Sequence, residues 1–198
     1  MHTDDIRSAQ QASWNKFSPG WRKWDSTTMA WLAPHGDAII GHLQPNGAAR
    51  VLDVAAGTGE PGLSLAQRLA KGRVVLTDLA DGMLQVARDK ATAAGITNVD
   101  FELADACRLP FPDGSFDAVS CRLGFMFFPD MVVAAKEMTR VLKPGGRLAT
   151  TVWGAPDANY WITCMMQNIQ RHIAMPAPEP GAPGMFRCAQ PGDRKSVV

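Results

Sequence analysis

Residues 51–62 read Val-Leu-Asp-Val-Ala-Ala-Gly-Thr-Gly-Glu-Pro-Gly, a short apolar run that stops at a glycine-rich turn. A run this short, bounded by turn residues, reads as a buried strand. The glycines let the backbone turn tightly and approach a ligand closely. Pro61 suits the first turn of a following helix, where its missing N–H would be unpaired in any case. Strand, glycine turn and helix in this order commit the chain to returning to one sheet through crossovers.

The downstream sequence keeps that rhythm. Leu63, Leu65, Ala66 and Leu69 give the first helix its buried side, and Gly72 stops it. VVLT (74–77) is the next strand. Asp81 is expected to cap a helix carrying Met83, Leu84, Val86 and Ala87, closed by Gly95. VDFEL (99–103) and FDAVSC (116–121) are further strands. Asp130 is expected to cap a helix with Met131, Ala135, Met138 and Leu142 on one side. Lys143-Pro144-Gly145-Gly146 ends that helix, and RLATTVW (147–153) follows as a fifth strand. Strands alternating with helices at this spacing predict an α/β fold with a parallel sheet and right-handed crossovers. Ligands in such sheets bind beyond the carboxyl ends of the strands. The chemistry is therefore expected in the loops after Val54, Thr77, Leu103 and Cys121.

The flanks read differently. Residues 4–43 are predicted helical, with a break at Ser18-Pro19-Gly20 and an interruption at Pro34 and Gly36. Trp21, Trp24 and Trp31 follow helical spacing there. Residues 159–174 read as one more helix, with Trp161, Ile162, Met165, Ile169 and Ile173 largely on one face. MPAPEPGAPG (175–184) reads as a linker or lid-type loop.

Composition narrows the function classes. With 198 residues the chain can bury one substantial core. A net charge of +1 argues against a protein that grips nucleic-acid phosphates. No apolar run approaches the ~18 residues of a bilayer span. The N-terminus lacks the apolar core of a secretory signal, so a cytoplasmic location is expected. Cys107, Cys121, Cys164 and Cys188 form no CxxC pair and read as reduced structural thiols, with no metal site expected.

Gly57-Thr58-Gly59-Glu60-Pro61-Gly62 spells GxGxxG, which alone does not distinguish a dinucleotide site from other nucleoside sites. The acids discriminate. Asp53 sits inside the strand, where a carboxylate would repel a pyrophosphate but tolerate a cationic ligand. Asp78 ends the second strand, where it can accept hydrogen bonds from ribose hydroxyls. Asp105 follows the third strand, where it can accept from an adenine amino group. The plainer alternatives are a structural acid at a helix start for Asp53 and a surface acid for Asp78.

Four stretches together resemble the class I S-adenosylmethionine-dependent methyltransferases, in the group that includes ubiquinone/menaquinone-biosynthesis C-methyltransferases. They are VLDVAAGTGEPG, LTDLADGML, LADACRLPFPDGSFDAVSCRLGFMFFPD and EMTRVLKPGGRLA, across roughly residues 49–153. The resemblance implies a Rossmann-like sheet and S-adenosyl-L-methionine as cofactor. It places Asp53, Gly57 and Gly59 in the loop under the methionine part, with Ala55 beside them. Asp78 would hold the ribose, with Leu79 and Met83 beside the adenine. Asp105 and Ala106 would read the adenine edge. Arg122 and Leu123 would line the methionine end through backbone and stem. Ala56 departs from the Cys or Gly of many relatives, and it is small enough to be tolerated.

The acceptor implied is a small molecule, quinol-like or otherwise aromatic. Trp14, Phe17, Trp21 and Trp24 are expected either to close over the cofactor or to pack as ordinary helix faces. Phe125, Met126, Phe127 and Phe128 either wall the acceptor site or belong to the core. His35 and His42 read as surface or packing residues, Asp130 as a cap, and no residue is assigned as a catalytic base.

The organisation expected is a helical cap (1–47), a cofactor-binding domain (48–153), and a helix with a Pro/Gly-rich loop of the acceptor region (154–192). Relatives continue to a seven-stranded sheet, so five strands here imply a C-terminally truncated chain whose fifth strand is an exposed edge. DRKSVV (193–198) does not resemble the family; it back-translates to a sequencing-adapter read and is expected to be a non-native tail. Two other functions compete. One is a truncated, non-catalytic cofactor-binding module. The other is a nicotinamide-dependent oxidoreductase, which has no need of Asp53 together with Asp105.

Overall fold

The computed structural model describes residues 2–174 and 181–190. Residues 175–180 of the expected loop, and the expected tail at 193–198, lie outside the described residues. In chain order the elements are α1 (Thr3–Leu43), β1 (Arg50–Val54), α2 (Gly62–Arg68), β2 (Arg73–Asp78), α3 (Asp81–Ala93), β3 (Val99–Leu103), β4 (Phe116–Arg122), α4 (Met131–Arg140), β5 (Leu142–Thr151) and α5 (Tyr160–Gln170).

The five strands form one parallel sheet in the order β3-β2-β1-β4-β5. The strand order reverses between β1 and β4, which opens a crevice at their carboxyl ends. Alternation along each strand feeds a core on both faces. Leu52 and Val54 of β1 join Val119 and Cys121 of β4 and Ala134 and Met138 of α4. Val51 faces the other way, with Leu76 of β2, Leu65 of α2 and Leu84 and Ala87 of α3. The result is the Rossmann-like α/β architecture, with α1 spanning both cores through Leu32 on one side and Ile39 and Leu43 on the other.

Local chemistry fixes most element ends. Asp130 accepts hydrogen bonds from the Val132 and Val133 N–H groups and caps α4 as its sequence predicts. Gly95, at φ +66°, closes α3. Its N–H reaches the Thr92 carbonyl and the Ile96 N–H reaches the Ala91 carbonyl, the paired bonds of a Schellman motif.

Four expectations are corrected. The helix over 3–43 runs unbroken through Pro19 and Pro34. Pro19 cannot serve the carbonyl of Asn15, but the Ser18 hydroxyl donates to it at 2.9 Å, so that carbonyl is not left unpaired. Ala80, not Asp81, occupies the N-cap of α3; Asp81 lies inside the first turn and pairs with Arg88 at 2.9 Å. β5 starts at Leu142 rather than Arg147. Leu142 pairs with Phe116 and Arg147 with Ala118, so residues 143–146 bulge opposite Asp117 alone. The helix predicted over 159–174 spans Tyr160–Gln170.

Candidate functional site

A cavity of about 270 Å³ opens at the carboxyl ends of β1, β2 and β4. Its wall comes from the loops after those strands, from α1 and from the segment around Trp153 and Trp161. Ala55, Gly57, Asp78, Leu79, Met83, Asp105, Ala106, Arg122 and Leu123 all line it. These residues run in sequence from Ala55 to Leu123, and the sheet order brings them to one place.

Two predicted site residues stand elsewhere. Asp53 is 0% exposed and faces away from the cavity. It shares the β1 face of Val51, and its register partner on β4 is Ser120. The Ser120 hydroxyl donates to its carboxylate at 2.6 Å and the Gly62 N–H donates at 3.0 Å. Asp53 is thus a structural acid beneath the start of α2. Burial pushes its pKa up to about 7, with the Ser120 bond, Arg122 and the Gly62 bond pulling the other way. Gly59 is also a packing position. At φ +107° its built Cβ would lie 2.7 Å from Leu63 Cδ1 and 3.2 Å from Ala87 Cβ.

The cavity's own backbone is unusual at two non-glycine positions. Ala55 (φ +53°) and Leu123 (φ +57°) both take the left-handed conformation, directly after β1 and β4. Such residues cluster at functional sites, where surrounding structure over-determines them. Gly57, at φ +56°, lies between Ala55 and the start of the next turn, and a Cβ there would meet Met83 Cε at 3.5 Å. That contact is an ordinary one, so the positive φ rather than lack of space is what favours glycine there.

Asp78 holds the loops together while facing the cavity. Its Oδ2 accepts from the Gly57 N–H and its Oδ1 from the Ala80 N–H, each at 2.9 Å. One carboxylate thereby fixes the turns after β1 and β2. Burial raises its pKa, against those backbone bonds. Each oxygen retains a lone pair for a further donor.

Asp105 accepts from the Cys107 N–H at 2.9 Å and from Arg7 Nε at 2.5 Å. Arg7 lies on α1, and sequence reasoning did not single it out; the pairing joins residues 98 positions apart. Two more α1 side chains bind the same region. Gln11 donates to the Leu79 carbonyl at 3.0 Å, and Asn15 accepts from the Gly82 N–H at 2.9 Å.

Arg122, the last residue of β4, also lines the cavity. Its Nε donates to the Glu60 carbonyl at 2.9 Å, and its Nη2 lies 3.2 Å from Met29 Sδ. Burial lowers its pKa. The remaining wall is aromatic. Trp14 meets Phe127 edge-on at 5.4 Å, Trp31 stacks on Trp153 at 5.8 Å, and Trp161 stands edge-on to Trp31 at 4.3 Å. Phe125 and Met126 are core residues, whereas Phe127 and Phe128 line the cavity. Phe17 and Trp24 face outward. His35 packs edge-on to Trp153 at 5.3 Å outside the cavity wall, and burial beside Arg122 lowers its pKa. Among the described residues, the ionisable side chains lining the cavity are Asp78, Asp105 and Arg122.

Comparison with known proteins follows the same segment of chain. Residues 51–146 match the family model described as a methyltransferase domain. A demethylmenaquinone methyltransferase of Deinococcus radiodurans is 47% identical over 107 residues, which cover 54% of this chain and 44% of that protein. The chain spans about half the length of the curated relatives it matches. Among solved structures, the [4+2]-cyclase SpnF superposes with a TM-score of 0.55 at 33% identity, covering 58% of this chain and 43% of its own. A SAM-dependent methyltransferase from Aquifex aeolicus shares the fold, with a TM-score of 0.55 at 23% identity, covering 68% of this chain and 77% of its own. The likeness to the methyltransferase domain thus runs over residues 51–146, from β1 to the bulge inside β5.

Proposed function

We propose that this chain binds S-adenosyl-L-methionine in the cavity and transfers its methyl group to a small, flat, lipophilic acceptor of the quinol type. The observation that carries the reading is the mixed lining of the cavity. Asp78 and Asp105 supply acceptors, the first of them beside the glycine turn, Arg122 supplies a cation, and aromatic rings make up much of the remaining wall. The acids suit a nucleoside's hydroxyl and amino donors. At the start of α2 the Gly62 N–H is already taken by the Asp53 carboxylate and is not free for a phosphate. The aromatic wall suits a sulfonium, which aromatic faces attract, and an apolar acceptor ring. The relatives named demethylmenaquinone methyltransferase support a quinol-like acceptor. On this reading residues 48–153 hold the cofactor, and Trp161 and Met185 line the acceptor side.

When bound, the cofactor supplies an activated methyl group, so the protein's task is alignment and exclusion of water. Asp78 would accept from the ribose while its backbone bonds keep both turns in place. Asp105 would accept from the adenine amino group beside Arg7. Ala55, Gly57 and Leu123 would present backbone to the methionine end. Trp14, Phe127 and Trp153 would hold the acceptor ring. No side chain is assigned the role of removing a proton. The SpnF likeness shows that a related fold serves a protein named for another reaction, so methyl transfer itself is what must be measured. Incubation with methyl-labelled S-adenosylmethionine and a demethylated menaquinol is expected to label the quinol. Binding of the cofactor with no label in any aromatic acceptor would instead support the non-catalytic module.

A further inference from the structure

We propose that the outer face of α1 docks on an anionic lipid surface, placing the cavity mouth where a membrane-dissolved acceptor can enter. The inference rests on the lipophilic-acceptor reading above for its purpose, but its physical basis is separate. Phe17, Trp24 and Trp31 recur every seven residues on α1 and therefore share one stripe of the helix. They are 55%, 59% and 48% exposed, unusual for side chains of this size. Each of the first two carries a lysine beside it. Lys16 Nζ lies 5.6 Å from the Phe17 ring centre and Lys23 Nζ 5.2 Å from that of Trp24.

The charge around the stripe is one-sided. From Ile6 to Trp31 the one acid is Asp25, which is paired with Lys90 at 2.8 Å, against the four cations Arg7, Lys16, Arg22 and Lys23. Arg7 and Arg22 are paired with Asp105 and Asp89, which leaves Lys16 and Lys23 as the cations that face outward with the rings. Exposed aromatic rings flanked by lysines match the headgroup layer of an anionic bilayer. The rings enter the boundary with the acyl chains, and the ammonium groups stay at the lipid phosphates. No helix among the described residues is long and apolar enough to cross a membrane, so the contact proposed is peripheral.

The stripe also leads somewhere. Trp31 is its third member and a wall of the cavity, stacked on Trp153 and edge-on to Trp161. Trp161 is itself 39% exposed, and Met165 and Ile169 continue an exposed apolar face along α5. A surface that accepts Phe17 and Trp24 would lie close to the mouth at Trp31. Seven residues of helix separate Trp24 from Trp31, about 10.5 Å along the axis.

The test is cosedimentation of the full chain with phosphatidylcholine vesicles, with and without phosphatidylglycerol, at low and high salt. The chain is expected to pellet with phosphatidylglycerol vesicles and to be released by salt. Phe17→Ser with Trp24→Ser should weaken that binding at least tenfold, and Lys16→Glu with Lys23→Glu by roughly tenfold or more. Neither pair lines the cavity, so calorimetric affinity for S-adenosylmethionine should stay unchanged in both. Absence of vesicle binding, or equal binding by the variants, overturns the inference. So does a homodimer in sedimentation analysis that Phe17→Ser with Trp24→Ser dissociates. A wild-type chain that binds vesicles but not the cofactor would defeat the functional reading alone.

Discussion

Arg7, in the second turn of α1, holds the carboxylate of Asp105 at 2.5 Å, in the loop beyond β3. The ion pair connects the N-terminal helix to an acid that lines the cavity and that the proposed function assigns to the nucleoside. Asp105 still has lone pairs free for an amino donor, and Arg7 offsets its charge in an apolar setting. Asp105→Ala is expected to weaken S-adenosylhomocysteine binding about tenfold to a hundredfold, as for loss of one hydrogen bond to a charged group. Arg7→Met should cost less, up to about fivefold, and act mainly by faster dissociation, because it releases α1 without removing the acceptor. Stopped-flow binding separates the two. Equal losses in both variants would contradict the assignment.

Asp78 ties together the turns after β1 and β2. It accepts from the Gly57 and Ala80 N–H groups. Asparagine has one acceptor oxygen, so Asp78→Asn turns an amide N–H₂ toward one of those donors. The expected result is a stability loss of about 1–3 kcal/mol in denaturant unfolding, together with loss of ribose binding. Calorimetry should show cofactor affinity falling further than in Asp105→Ala.

Asp53 predicts a pH effect of known sign. Its folded pKa is raised to about 7, above its unfolded value. The native state therefore binds more protons than the unfolded state between about 4 and 7. The contribution of Asp53 to stability falls as pH rises through that window. Asp89, Asp100, Asp117 and Glu137 have lowered pKa values and act oppositely, losing stability as pH falls through their folded pKa. The difference between wild type and Asp53→Asn isolates the buried group. Urea unfolding from pH 5 to pH 8 should show wild type losing stability relative to Asp53→Asn. A flat difference would mean that Asp53 is not held in this environment.

Gly59→Ala should fail by packing and backbone together. The residue sits at φ +107°, and the new methyl would press on Leu63 and Ala87. A loss of at least ~1–3 kcal/mol is expected from the backbone strain. Gly57→Ala, at φ +56° with only an ordinary contact to Met83, should cost about 1–2 kcal/mol and affect ligand affinity more than folding. Thermal unfolding and calorimetry on the two variants test that contrast.

The strands were legible because buried parallel strands are short apolar runs punctuated by glycine and proline. β1 to β4 begin and end within a residue or so of their predicted limits. α1 was misread at Pro19 because the rescue of the Asn15 carbonyl depends on a side chain, Ser18, that also looks like a turn residue. The start of β5 was misread because Gly145-Gly146 forms a bulge inside the strand rather than a loop before it. Within the site, Asp78 and Asp105 were readable as acids at strand tips. The orientation of Asp53 depended on the face parity of β1 and on Ser120 across the sheet. Arg7 was invisible because only the tertiary fold brings α1 over the loop after β3.

The most direct test of the account is calorimetric titration of the full chain with S-adenosylhomocysteine and, separately, with NAD. The cavity lined by Asp78 and Asp105 predicts a single site for S-adenosylhomocysteine, weakened by Asp105→Ala and more strongly by Asp78→Asn, and no heat from NAD. Binding of NAD without S-adenosylhomocysteine, or S-adenosylhomocysteine binding indifferent to both substitutions, would contradict it.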